Sequence, residues 1–227
     1  ASGTGYGNTP SYVVGQLGNA DLKWETIEQA NIGLDFALIN NRLRGTFDVY
    51  RKTTNDLYQS SPISAVNATY TISANNGSMR NSGVEALVSY DLVSNKDFTF
   101  TLNFNGSYNK NEITELFNGL DEYIIANSGM KLQVGMPFGE LYTVKRAYVD
   151  PRDGTQVWYD ADGNLTKVYD AASNSVFTGK QRFAPWTGGF GTSFQWKGLS
   201  VSADFTWALG KYALNNDKFF YENAAMG

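Results

Sequence analysis

The sequence predicts an all-β protein: an antiparallel up-and-down meander of about six strands that forms part of a larger transmembrane β-barrel. Three observations lead there. Long stretches alternate between apolar and polar side chains, short connections alternate with long ones, and aromatic residues collect at both ends of the apolar face. Composition agrees. Of 227 residues, 15% are aromatic and only 18% are charged, against roughly 25% charged in an average soluble domain. Such a chain presents semi-polar surface to something other than bulk water. Mean hydropathy is negative, which leaves a membrane open, because barrel strands are apolar on one face only and average out as polar.

Alternation is clearest from Phe98 to Asn109, where Phe, Leu, Gly or Tyr stands at every second position and Thr, Asn or Ser between. Successive side chains of a strand point to opposite faces, so one face is aromatic and the other polar and uncharged. Leu199, Val201, Ala203, Phe205, Trp207 and Leu209 repeat the pattern against Ser200, Ser202, Asp204, Thr206 and Ala208. Four noisier segments complete the set, with expected strands at 27–38, 42–57, 83–93, 98–111, 186–196 and 199–209. In the third, Val84, Ala86, Val88, Tyr90 and Leu92 form the apolar row, and Leu87 falls on the wrong face.

Asn40-Asn41, Ser94-Asn95-Lys96-Asp97 and Lys197-Gly198 are short turns joining strands in pairs. The links between pairs are long, 58–82 and 113–185. Short turns at one end and long loops at the other match an outer-membrane barrel, with the turns periplasmic and the loops extracellular. Phe36, Tyr90, Phe98 and Trp196 then sit near the turns, and Tyr108, Trp186 and Trp207 near the loops. Aromatic belts at two interfaces are what a bilayer selects. Within the second loop, residues 157–166 read as a hairpin turning at Asp162-Gly163, and Asp150-Pro151-Arg152-Asp153-Gly154 as another turn.

The chemistry on offer is narrow. A net charge of −4 gives no basic surface for nucleic acid. Without Cys or His there are no thiol nucleophiles, imidazole bases, disulfides or Cys/His metal sites. No cofactor is expected, and no enzymatic activity. Asp160, Asp162 and Asn164 lack the spacing of a calcium loop, since Gly163 stands fourth rather than sixth. They read as a tight turn. Asp48 with Glu85, or Asp35 with Asp91, read as polar-face residues rather than catalytic pairs. Asn67-Ala68-Thr69 and Asn164-Leu165-Thr166 match a glycosylation sequon, a pattern that chance supplies in an Asn-rich chain. The loop residues Tyr142, Arg146, Tyr148, Trp158 and Tyr159, with Lys145 beside them, are the candidate substrate contacts. Aromatic faces stack on sugar rings and cations pair with carboxylates. The alternative is that they pack the loop together.

Leu17-Gly18-Asn19-Ala20-Asp21-Leu22-Lys23-Trp24-Glu25-Thr26, followed by Asn31-Ile32-Gly33-Leu34-Asp35-Phe36, resembles a block of the SusC/RagA family of TonB-linked outer-membrane proteins. Further matches follow in family order: Gly83-Val84-Glu85, Asn103-Phe104-Asn105, Tyr108-Asn109-Lys110-Asn111, Val134-Gly135-Met136-Pro137-Phe138-Gly139 and Gly188-Gly189-Phe190-Gly191. Ala20 stands where the family commonly has Pro. The resemblance covers nearly the whole chain and implies a bacterial outer-membrane importer of glycans or peptides. It implies a SusD-like surface lipoprotein as partner and a TonB complex reached through an N-terminal segment. It also implies a plug inside a barrel of about 22 strands. No plug is recognisable here, so residues 1–227 are expected to be an internal stretch of barrel whose remaining strands belong to the same protein. A second reading stays open, a soluble β-sandwich that binds carbohydrate through its aromatic face. The two differ in whether the apolar faces meet lipid or a second sheet.

Overall fold

Six segments that alternate over ten or more residues are committed to extended backbone, and they pair side by side into one sheet. The computed structural model describes residues 17–62, 71–75, 77–125 and 128–215, together with two short paired strands, Ser2–Thr4 and Pro10–Tyr12. The sequon Asn67-Ala68-Thr69 and the terminal Ala225-Met226-Gly227 lie outside the described residues. The sheet comprises β1 (Thr26–Leu38), β2 (Leu43–Asn55), β3 (Ser78–Ser94), β4 (Phe98–Glu115), β5 (Trp186–Trp196) and β6 (Leu199–Leu209). Its spatial order is β6-β5-β4-β3-β2-β1, each strand antiparallel to the next. That is an up-and-down meander with no crossover.

Between the two shifts at the ends of β3, register is regular from edge to edge, so directly opposed residues share a face. Phe36, Gly45, Val88, Phe104, Phe190 and Phe205 form one such row, and Ile32, Val49, Val84, Tyr108, Trp186 and Leu209 another. From the Phe98–Trp196–Leu199 row up to the Tyr108 row, this face carries no charged side chain. Ten residues at about 3.4 Å each, tilted by about 45°, span roughly 24 Å of vertical height. That matches the apolar band of a bilayer-spanning barrel, about 25 Å. A β-sandwich would cover this face with a second sheet. None of the described residues does so: Phe47, Phe104, Phe190 and Phe205 remain 45–56% exposed.

Glycines within the strands make room for rings. A Cβ on Gly45 would stand 2.6 Å from Phe36 Cζ, and one on Gly188 would stand 2.5 Å from Trp207 Cζ2. Both rings therefore lie flat across a neighbouring strand on the outward face.

Several expected boundaries move. β3 starts at Ser78 and β4 runs to Glu115, both well beyond 83–93 and 98–111. Past the aromatic belt both faces of a strand are wet, so Met79-Arg80-Asn81-Ser82 loses the alternation that marks a strand. β2 ends at Asn55 rather than 57, because Asp56 turns to φ 56°. Leu92 does not continue the outward row. Asp91 pairs with Thr101 and Val93 with Phe100, leaving Leu92 as the extra residue of a bulge. The link 58–82 is not an open loop, since Tyr58–Pro62 and Thr71–Asn75 pair as a hairpin before β3 begins.

The link 113–185 is largely folded. Its four-stranded sheet has the order Val176–Gln181, Glu140–Thr143, Met130–Gln133, Glu122–Ile125, and its three-stranded sheet Arg146–Val149, Gln156–Tyr159, Leu165–Thr166. The expected hairpin at 157–166 is present within the latter. Ile113, Leu116 and Leu132 form a small core with Tyr123, Ile125 and Phe138 packed on it. This core sits where β4 leaves the wall. Backbone bonds fasten it there, from Ile113 N to Met136 O (2.9 Å) and from Gly135 N to Ile113 O (2.8 Å).

Candidate functional site on the polar face and in the loop sheets

The face opposite the apolar band is a continuous polar surface. Two side-chain clusters organise it. Near the short turns, the Arg44 guanidinium bridges Asp91 (3.1 Å) and donates to Ser89 Oγ (3.4 Å), while Thr101 Oγ1 donates to Asp91 Oδ1 (2.8 Å). Asp91 lies on this face two residues beyond Ser89, directly opposite Thr101. Near the loop end, Tyr50 donates its hydroxyl to Asn109 Oδ1 (3.0 Å), and Asn109 and Asn111 both donate amides to Asn81 Oδ1 (3.1 and 3.0 Å). Asn111 Oδ1 in turn accepts from Phe138 N (2.8 Å), tying the ladder to the loop sheets. Gly83 admits the Tyr50 ring, since a Cβ there would stand 2.7 Å from the hydroxyl oxygen.

Asp48 and Glu85 are direct cross-strand neighbours on this face. Asp35 and Asp91 are not neighbours, since Asp35 faces Thr46 and Asp91 faces Thr101. The face carries five carboxylates (Asp35, Asp48, Glu85, Asp91, Asp204) against two cations (Arg44, Lys52). The strip is acidic as well as polar.

The five loop candidates do not converge. Tyr142 belongs to the four-stranded sheet, edge-on to Phe177 at 5.2 Å and beneath the Lys131 ammonium at 5.1 Å. Arg146 and Trp158 are paired on one face of the three-stranded sheet, where Trp158 packs against Tyr169 at 5.0 Å. Tyr148 and Tyr159 occupy the other face and are both exposed. Packing therefore accounts for Tyr142 and Trp158, and Tyr148 and Tyr159 are the members that offer free ring surface.

What holds the three-stranded sheet was not visible from motif or period. Asp150 is 2% exposed and takes Arg152 Nε (3.0 Å) on one oxygen, with Lys167 Nζ (2.8 Å) and Arg152 Nη2 (3.0 Å) on the other. Arg152 and then Lys167 hold its carboxyl well below the usual range. Hydrogen bonds to Asp150 and then Asp153 raise the Lys167 ammonium above its ordinary value. The turn motif at 150–154 signals a capping Asp. Its Lys167 partner lies too far along the chain for any local pattern to find.

Asp160 spends its oxygens inside its own turn, accepting from Asp162 N (3.0 Å), Asn164 N (2.8 Å) and Asn164 Nδ2 (3.2 Å). Bonding from Asn164 first of all lowers its pKa. The tight-turn reading fits these bonds.

A charge-free band of bilayer height, a polar opposite face and folded sheets at one end define a strip of transmembrane β-barrel wall. The chain belongs to the TonB dependent receptor-like β-barrel family, whose model matches residues 1–225. That places it in the outer membrane of a Gram-negative bacterium, within a family of TonB-dependent transporters. TonB-dependent receptor P39 of Formosa agariphila is 36% identical over 171 residues, covering 75% of this chain and 16% of that protein. TonB-dependent receptor SusC of Bacteroides thetaiotaomicron is 29% identical over 207 residues, covering 86% of this chain and 20% of that protein. Among solved structures, the RagAB peptide transporter superposes with a TM-score of 0.89 at 36% identity, over 98% of this chain and 25% of that one. The chain thus spans about a fifth of the length of the curated relatives it matches.

Proposed function

We propose that this chain is a wall segment of a TonB-dependent importer of peptides or glycans, and that it performs no catalysis. The observation that carries the reading is the division of one continuous sheet into an outward face with a charge-free band and a hydrogen-bonded polar inward face. Its close superposition on a peptide transporter supports it. The polar face lines the substrate path, where amide and hydroxyl groups exchange hydrogen bonds with a passing solute at little net cost. Its acidic balance disfavours polyanionic solutes and suits neutral glycans or neutral to basic peptides.

On this reading the loop sheets are extracellular and meet substrate and a surface lipoprotein partner. A TonB complex supplies the energy through parts of the protein outside this segment, and other strands of the same protein pair with β1 and β6. Among the loop candidates, Tyr148 and Tyr159 are the residues we assign to substrate capture, with Arg146 on the opposite face of the same sheet.

The test is uptake by cells that express the full-length protein with its lipoprotein, supplied with fluorescent oligopeptides, neutral oligosaccharides and sulfated oligosaccharides. Expected is protein-dependent uptake of one neutral or basic class, exclusion of the sulfated class, and several-fold weaker capture by Y148A/Y159A. Uptake of none of them, or equal uptake of the sulfated class, would overturn the reading.

A further inference from the structure

Immediately beyond the aromatic belt, the outward face changes character within a single row. The Ile32–Val49–Val84–Tyr108–Trp186 row is followed by Ala30–Arg51–Ser82–Lys110, and that by Glu28–Thr53–Arg80–Glu112. Two residues along a strand are about 7 Å, or about 5 Å of height at barrel tilt. The first charged outward side chains therefore stand at the depth where headgroup phosphates lie. Arg80 and Lys110 both approach Glu112, at 2.8 and 3.9 Å, and Arg51 lies within electrostatic reach of it. Three cations face two carboxylates, Glu112 and Glu28, so the cluster keeps a positive surplus. The Lys110 side chain is 67% exposed despite its contact with Glu112. Ser82 places a hydroxyl between Arg51 and Lys110 in the row.

We propose that Arg51, Ser82 and Lys110, backed by Arg80, form a binding site for the phosphate group of a phosphorylated lipid in the outer leaflet. Glu112 holds Arg80 and orients the cluster. Tyr108 and Trp186, tilted against each other with ring centroids 4.5 Å apart, support the start of the acyl chains below. Both parts of the recognition are needed. The cations supply charge-assisted hydrogen bonds to phosphate oxygens, and the charge-free band beneath accepts hydrocarbon. A soluble protein partner is the poorer occupant, because at this depth it would have to displace headgroups to reach Arg51 and Lys110.

This inference rests on the barrel-wall reading, and its test is kept separate from transport. The full-length protein, purified in mild detergent, is exchanged against diphosphoryl lipid A, the same lipid with its phosphates removed, or inorganic phosphate alone, and bound lipid is counted by native mass spectrometry. The diphosphoryl lipid is expected to stay bound. R51A/K110A should lose it by on the order of tenfold or more, as expected for two cationic contacts at a headgroup. R51K/K110R should keep it. Heat-modifiable migration on gels reports whether each variant still forms a barrel, and uptake should match the parent. Equal retention by R51A/K110A, equal retention of the dephosphorylated lipid, or binding of inorganic phosphate as tight as that of the lipid would each overturn the proposal. Failure of uptake in the parent protein with lipid binding intact would count against the importer reading alone.

Discussion

At the scale of single residues, this wall obeys one rule, that neighbours in sequence meet different solvents. Phe104 points into hydrocarbon from the middle of the outward band, and Asn103 points to the polar interior from the adjacent position. Phe104→Arg places a charge near the bilayer midplane and should cost about 2–4 kcal/mol. Asn103→Arg should be tolerated far better, because its row already holds Arg44 and Asp204. Folding of the two variants into lipid vesicles measures the difference, and equal costs would refute the facing. The sequence made such assignments legible because a period of two needs no tertiary information. It failed at Leu92, where a bulge inserts one residue and shifts the parity. Bulges carry no obligatory composition, and this one lies just past Asp91, whose own pairing with Thr101 is regular. Leu87, which breaks the apolar row in the sequence, sits on the polar face with 52% of its surface exposed.

At the scale of elements, the wall strands and the loop sheets hold together by different means. Wall strands are long, regular and readable. The loop strands are short, four to six residues in most cases, and their pattern is drowned by turns. The four-stranded sheet packs on the Ile113, Leu116 and Leu132 core, and the three-stranded sheet is held by specific pairing, above all of Asp150 with Arg152 and Lys167. The depressed Asp150 carboxyl contributes stability that is present above its unfolded value of about 3.9 and is lost as pH falls toward its much lower folded value. The raised Lys167 ammonium contributes stability that is present below its unfolded value of about 10.4 and is lost as pH rises through the folded one. The sheet of Arg146–Val149, Gln156–Tyr159 and Leu165–Thr166 should therefore keep its structure from about pH 4 to about pH 10. Asp150→Asn should open it at neutral pH, because a buried site loses the charge that both cations answer. Hydrogen exchange of amides 146–166, corrected for intrinsic rates, reports this directly. Unchanged protection in D150N would mean that packing of Val157 and Trp158 alone holds the sheet.

At the scale of the whole molecule, the decisive feature is that β1 and β6 each have a neighbour on one side only among the described residues. Each presents a row of backbone N–H and C=O groups along its outer edge. In hydrocarbon every unsatisfied group costs several kcal/mol, so a six-stranded sheet with two open edges is not a stable occupant of a bilayer. In water the difficulty moves to the outward face, since soluble monomers rarely expose apolar patches larger than a few hundred Å². Here a contiguous band of Phe, Leu, Val, Ile and Trp runs across all six strands with none of the described residues over it. Neither solvent suits the sheet by itself, and one arrangement resolves both problems. Further strands must satisfy the two edges, and lipid must cover the band. Residues 1–227 expressed without the rest of a barrel should accordingly associate in detergent-free buffer, either edge to edge through β1 and β6 or face to face through the aromatic band. Analytical ultracentrifugation and denaturant unfolding provide the measurement. A monodisperse monomer with a single cooperative transition would mean that some other part of this chain caps the edges and covers the band, and the barrel-wall reading would have to be abandoned.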